Sequence, residues 1–206
     1  MTVAASAVDS PTPPVPGVPV AASTAWAVLI AGAVGLAASV TLTVEKIRLL
    51  TDAAYVPSCN LNPVLSCGSV MATRQASVLG FPNPLLGIAA FTVVVVTGVL
   101  AVTKVRLPRW YWAGMTVGTL AGAGFVHWLI FQSLYRIGAL CPYCMVVWAV
   151  TMCVLVIFAA ITFGRLRVHK NLQYLHQWRW TLAALWFIAL FLLIFLRFQD
   201  YWLTLF

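Results

Sequence analysis

Charge is what this chain has least of. Only 8% of its 206 residues are charged, and only four are acidic: Asp9, Glu45, Asp52 and Asp200. A soluble domain carries about 25% charged residues, so a water-facing globular surface is excluded. The 63% apolar content and a mean hydropathy of +0.99 place the chain among integral membrane proteins. Histidine is also scarce: His127 lies on an apolar run, while His169 and His176 are expected on the other side of the membrane. No four Cys/His ligands therefore converge, which argues against structural zinc. The 12 Lys and Arg residues give a net charge of +8, yet they sit at the ends of apolar runs and form no patch interleaved with aromatics. That excludes a nucleic-acid partner and fits membrane flanks. Residues 1–22 contain no Lys or Arg, so the basic start of a cleaved signal peptide is missing. Five prolines between Pro11 and Pro19 oppose helix there. This segment reads as a disordered tail, and the run after it as a retained span.

Five runs reach the roughly 20 apolar residues that a helical crossing needs: 24–44, 84–103, 110–135, 141–163 and 181–198. Open sheet cannot lie in lipid, so the fold class is all-α. The short connections 104–109 and 136–140 predict that spans two, three and four are antiparallel neighbours in a bundle. Gly114, Gly118, Gly122 and Gly124 predict a close helix approach by the third span. Seven basic residues (Lys104, Arg106, Arg109, Arg165, Arg167, Lys170, Arg179) lie on one side, with no acids among them. Five (Lys46, Arg48, Arg74, Arg136, Arg197) lie on the other, diluted by Glu45, Asp52 and Asp200. The larger group is expected to be cytoplasmic. The N-terminus is then inside, and the 46–83 loop faces the oxidising, extracytoplasmic side. Residues 164–180 form a basic linker expected on the cytoplasmic leaflet.

Four of the five cysteines form two pairs. Cys59 and Cys67 lie in the long loop, and Cys141 and Cys144 in the run Cys-Pro-Tyr-Cys that opens the fourth span. A C-x-x-C opening a helix is more often redox chemistry than architecture. Pro142 suits the first helical position, where its missing N–H is no loss. A thiolate at a helix N-terminus is favoured, so Cys141 is expected to have a lowered pKa. Cys144 lies almost one turn deeper on the same face, where only an apolar electron acceptor would meet it. For Cys59 and Cys67 two readings stay open: a redox pair, or a staple closing a short loop and worth about 2–3 kcal/mol. Pro57, Asn60, Asn62 and Pro63 break regular structure around Cys59, which is expected to ride on a mobile segment. Residues 70–79 read as a partial helix across the bundle mouth. Cys153 falls on the opposite helix face from Cys144 and reads as a packing residue.

With a loop pair first, a membrane-edge C-x-x-C second and four spans around them, the chain resembles the vitamin K epoxide reductase family. Within it, the bacterial homologues of actinobacterial type are the nearest likeness. The matching residues are Cys59, Cys67, Asn83 in FPNPLLG, and CPYCMVVW from Cys141 to Trp148, and the resemblance covers about residues 25–163. DsbB-type oxidases share the chemistry but place their C-x-x-C before the second pair. The resemblance implies a four-helix transmembrane bundle around a quinone site (residues 23–163), capped by an extracytoplasmic loop and partial helix (46–83). A fifth transmembrane helix and short tail (181–206) follow the 164–180 linker, after a cytoplasmic 1–22 tail.

The resemblance also implies a relay. A DsbA-like thioredoxin-fold partner would attack Cys59 of the Cys59–Cys67 disulfide; freed Cys67 would attack Cys141, and Cys144 would pass electrons to a membrane quinone, expected to be menaquinone. Thr73, Asn83 and Trp148 fall where family members hold the quinone, although Trp148 offers an N–H in place of a tyrosine hydroxyl. Some bacterial members carry a fused thioredoxin domain; Phe206 closely follows the fifth span, so a separate partner is expected. The implied location is the cell (inner or plasma) membrane, multi-pass. Bland readings stand beside these: Asn83 as a cap for the helix at Pro84, Thr73 as a surface-loop residue, and Glu45 as an ion pair with Lys46 or Arg48. His127 is either a quinone contact or an inter-helix hydrogen bond. At the level of function, quinone or quinone-epoxide reduction as the useful output is the alternative to disulfide formation, and a non-catalytic disulfide-stabilised scaffold is a third reading.

Overall fold

Each apolar run becomes one helix, because a helix satisfies every backbone polar group within itself. The computed structural model describes residues 17–52, 54–164 and 170–203, with the side chains of 170–176 left out. Residues 1–16 of the expected tail and 165–169 of the expected linker lie outside the described residues. The helices are α1 (Ala22–Thr51), the short α2 (Cys67–Met71), α3 (Pro84–Val102), α4 (Arg109–Phe131), α5 (Pro142–Phe163), α6 (Lys170–Arg197) and the short α7 (Gln199–Leu203). Five are long and apolar enough to cross a membrane: α1, α3, α4 with its extension to Ile137, α5 and the 177–197 part of α6. The all-α membrane fold class therefore stands.

Helix α1 outruns its apolar stretch. Its 30 residues span about 45 Å at 1.5 Å per residue, against a hydrocarbon core of about 30 Å. The hydropathy signal stops at Val44, but the helix continues to Thr51 and carries Glu45, Lys46 and Arg48 past the bundle. The long loop folds against this projecting end. At the opposite end order begins before the helix: the Val18 N–H donates to the Leu107 carbonyl at 3.0 Å, and Val18 is buried against Trp112 and Phe158.

In the bundle α3 packs on α1, α1 on α5, α5 on α4, and α6 on the outside of α5. The close approach is between α1 and α3. A Cβ on Gly98 would lie 2.6 Å from Leu29 Cα, and one on Gly32 would lie 2.9 Å from the Val95 nitrogen. The expectation for α4 is corrected: Gly114, Gly118 and Gly124 have nothing within 4 Å of an added Cβ, and Gly122 only a methyl at 3.9 Å. The glycine spacing signalled missing side chains rather than a seam. Spans two and three are also not packed neighbours along their length. They are joined at the 104–109 end, where the Thr97 and Tyr111 hydroxyls share a hydrogen bond of 2.6 Å, and elsewhere they face each other across a cavity.

The fifth helix is tied to the bundle by polar groups. The Trp186 indole N–H donates to His127 Nε2 at 2.9 Å, and His127 Nδ1 lies 2.7 Å from the Ala123 carbonyl. Both ring nitrogens are thereby occupied, and His127 does not line the cavity; its hydrogen-bond reading holds, and its quinone reading does not. Arg197 Nε donates to the Leu134 carbonyl at 2.9 Å, and Ile194 and Phe198 pack with Val64, Leu140 and Trp148. Gly98→Ala is predicted to cost about 1–3 kcal/mol by overpacking α1 against α3, whereas Gly114→Ala, whose methyl meets nothing within 4 Å on the cavity wall, should not destabilise and gains up to about 1 kcal/mol of helix propensity. Thermal unfolding of both variants in one detergent checks the difference.

Candidate active site

The backbone brings the two cysteine pairs together. A π turn at Gln132–Ile137 ends the third span, and Gly138, at φ 70°, adopts the left-handed conformation that reverses the chain. Residues 139–140 then run extended beside residues 64–66 of the loop. The Leu140 N–H donates to the Val64 carbonyl at 2.7 Å, and the Ser66 N–H to the Leu140 carbonyl at 2.8 Å. The pairing bridges Leu65 with Leu140; Cys141 follows Leu140 directly and Cys67 lies two residues past Leu65 at the start of α2, so the pairing brings both cysteines to the same end of the contact. Cys67 Sγ lies 3.1 Å from Cys141 Sγ, and both residues are fully buried.

The loop between Cys59 and Cys67 is internally bonded. Asn62 Oδ1 accepts from the N–H groups of Val64 (3.0 Å) and Leu65 (2.7 Å), an Asx turn. Asn60 Oδ1 accepts from the Gly68 N–H at 2.9 Å, and Cys59 is disulfide-bonded to Cys67. The expectation of a mobile Cys59 is corrected: it is only 5% exposed, packed with Leu42, Met71 and Cys141. The turn-forming residues that broke regular structure built a tight local fold instead of a loose one. Glu45, buried at the end of α1, accepts from Tyr55 (2.8 Å) and Ser58 (2.6 Å) and pins the stretch before Cys59. Of its two expected partners, Arg48 attracts it electrostatically and also donates to the Tyr55 hydroxyl at 3.5 Å, whereas Lys46 is not paired with it. Its neighbour Lys46 donates to the Met71 carbonyl at the end of α2. Adjacent residues on one helix thus hold the two segments that carry the loop cysteines.

Cys141 caps α5: its sulfur accepts from the Cys144 N–H at 3.5 Å. A side-chain hydrogen bond from Cys144 holds the Cys141 thiol below its ordinary range. The backbone N–H groups of Cys144 and Tyr143 add to this, against the opposing effect of burial. Cys144, one turn into the helix, lines the cavity between α3 and α4. That cavity has a volume of about 400 Å³, within the range of small-molecule sites. Its walls are mainly apolar, with Gly114, Gly118 and Gly122 supplying width on the α4 side. Cys153 lies outside it.

Thr73, Asn83 and Trp148 all line the same cavity as Cys144. Asn83 sits at the N-cap position of α3, but its side chain makes no capping hydrogen bond; its Nδ2 donates to the Gln75 carbonyl (2.7 Å) and its Oδ1 accepts from the Val78 N–H (3.0 Å), bracing the loop. The Thr73 hydroxyl donates to the Val70 carbonyl at 2.8 Å. Trp148 is buried among Val64, Leu134 and Leu140. Further polar lining residues escaped sequence reading: Lys46, Gln75, Gln132 and the hydroxyl residues Ser39, Thr119, Ser133 and Thr151. The signal for Lys46 was an ionisable residue directly after an apolar span. A quinone fits this lining: a mainly apolar cavity between α3 and α4, with Cys144 and polar groups that can meet its carbonyl oxygens on the walls. Among the described residues no cluster of His, Cys, Asp or Glu suits a metal ion.

The geometry predicts that the Cys141 thiolate persists below the ordinary thiol range of about 8.5. In protein with Cys59 and Cys67 replaced by serine, thiolate absorbance of reduced Cys141 should survive as pH falls below that value and vanish only through the lowered pKa. Cys144→Ala, which removes the leading cause, should raise the midpoint.

No curated protein matches the chain. The model of the vitamin K epoxide reductase family matches residues 26–159, the stretch that contains both cysteine pairs, the cavity and four of the five spans. Both the matched length and the site within it lead to one assignment: the chain belongs to the vitamin K epoxide reductase family, membrane oxidoreductases whose thiol–disulfide chemistry is linked to a quinone.

Proposed function

We propose that the protein generates disulfides, reoxidising a separate DsbA-like thioredoxin-fold partner and passing the electrons through Cys59/Cys67 and Cys141/Cys144 to menaquinone. The observation that carries this reading is the 3.1 Å approach of Cys67 to Cys141, with Cys144 on the cavity wall. One pair can exchange with the other, and the second pair has access to an apolar site. A loop staple needs neither.

The partner's thiolate attacks Cys59, forming a mixed disulfide and releasing Cys67 as thiolate; the partner's second thiol then displaces Cys59. The segment from Tyr55 to Cys59 must lift from Glu45 to admit the attack. Val56 and Leu61, both largely exposed on either side of Cys59, offer an apolar landing surface. Cys67 attacks Cys141 of the Cys141–Cys144 disulfide, Cys144 leaves as thiolate, and Cys59 resolves the Cys67–Cys141 bond. The lowered pKa of Cys141 makes it a good leaving group in that resolution. A bound quinone supplies an acceptor for two electrons and two protons, and each 30 mV of potential difference drives the exchange by about 1.4 kcal/mol. Thr73, Asn83 and Trp148 orient it beside Cys144. The excess of basic residues at the 104–109 and 165–179 end supports a cytoplasmic N-terminus. The cysteines then face the extracytoplasmic side of the inner or plasma membrane.

The test is turnover of purified protein with menaquinone. Cys144→Ala should abolish quinone reduction by any thiol. Cys59→Ala should stop turnover with the thioredoxin-fold partner yet retain reduction by a small dithiol. Equal loss with both donors in the second variant contradicts the relay, and faster turnover of a quinone epoxide than of the quinone favours reduced quinone as the useful product.

A further inference from the structure

We propose that Lys46 is a quinone-binding residue, its buried ammonium donating to a carbonyl oxygen of the acceptor beside Cys144. The inference rests on reading the cavity as the quinone site. Lys46 is 8% exposed and lines that cavity together with Cys144, Thr73 and Asn83. An ammonium has three N–H donors, and among the described residues only the Met71 carbonyl accepts from this one. No ion pair joins Lys46 to its neighbour Glu45, whose carboxylate accepts from Tyr55 and Ser58. A buried cation with two donors uncommitted is expensive unless something enters to accept them.

Two of the other polar groups of the cavity are less free. The Thr73 hydroxyl proton goes to Val70, and one Asn83 N–H goes to Gln75. Gln75 and Gln132 also line the cavity but offer neutral amides, whereas Lys46 is the only cation lining it among the described residues. Its charge also suits the reaction. As the Cys141–Cys144 disulfide closes, two electrons leave the sulfurs and the two thiol protons follow them to the acceptor. Negative charge that builds on the acceptor oxygen before those protons arrive is stabilised by a fixed positive group in a water-poor site. Lys46 keeps its own proton throughout. Through Met71, the same ammonium is bonded to the helix that carries Cys67, so quinone site and loop share one side chain.

The test uses full-length protein in lipid nanodiscs, with Lys46→Met and Lys46→Arg variants. Binding of a short-chain menaquinone to the oxidised protein is followed by quenching of tryptophan fluorescence. In parallel, reduction of the Cys59–Cys67 disulfide by dithiothreitol is followed without quinone. The Met variant should bind quinone about tenfold more weakly or worse, and the Arg variant should recover most of the affinity. Loop-disulfide reduction should quicken in the Met variant, which loses the bond to Met71, and stay within about twofold of wild type in the Arg variant, which keeps a donor there. Unchanged quinone binding in the Met variant overturns the role of Lys46 and leaves the cavity reading intact. Equal weakening in both variants, with loop-disulfide reduction faster in both, makes Lys46 only a brace for α2 and overturns it as well. Wild-type protein that binds no quinone overturns both readings.

Discussion

Two backbone hydrogen bonds, between residues 64–66 and Leu140, carry the logic of this molecule. They are the only strand-like pairing between the long loop and the bundle among the described residues. The bridge joins Leu65 to Leu140, so the chain carries Cys141 one residue and Cys67 two residues beyond it, both at the same end of the pairing. A side-chain contact alone would let a loop cysteine wander by several ångströms. Backbone pairing fixes the separation at 3.1 Å without using either sulfur. Everything else near the site supports that registration. Gly138 turns the chain so that residues 139–140 can pair, Asn62 folds the loop's tip, and Ile194 and Phe198 of the fifth helix pack behind Leu140 and Val64.

The second constraint is the end of α1 beyond its apolar stretch. Glu45 and Lys46 would be costly there if left unpaired, and the loop supplies the partners. One holds the segment before Cys59, the other holds the helix that begins at Cys67. The polar end of a membrane helix thereby becomes the floor of the site. The glycines of α4 act in the opposite sense: they withhold side chains, so α3 and α4 stand apart and leave the cavity that Cys144 enters. The site thus joins a hydrogen-bonded polar loop to an apolar cavity.

The parts legible in the sequence were those set by one-dimensional rules. Span length follows from bilayer thickness, and Pro142 with Cys141 marks a helix start whatever surrounds it, so five spans and the two cysteine pairs could be read directly. The rest depends on which face meets which, and that is decided by tertiary packing. Glycines at 114, 118 and 122 have the spacing of a helix seam, but so does a cavity wall. The loop's Pro and Asn residues break helices, yet the same Asn side chains close turns, so a mobile segment was expected where an ordered one stands. Hydropathy placed the end of α1 at Val44, because it counts charges without knowing that the loop will satisfy them. His127 was ambiguous until Trp186, 59 residues away, came to meet it.

The central claim is that Cys67 and Cys141 form the junction between the two pairs. Its most direct measurement is the disulfide state of protein with Cys59 and Cys144 both replaced by serine, mapped by peptide mass after alkylation of free thiols in the membrane. The account predicts a Cys67–Cys141 disulfide in most molecules, with Cys153 alkylated. Free, alkylated Cys67 and Cys141 under oxidising conditions would contradict it.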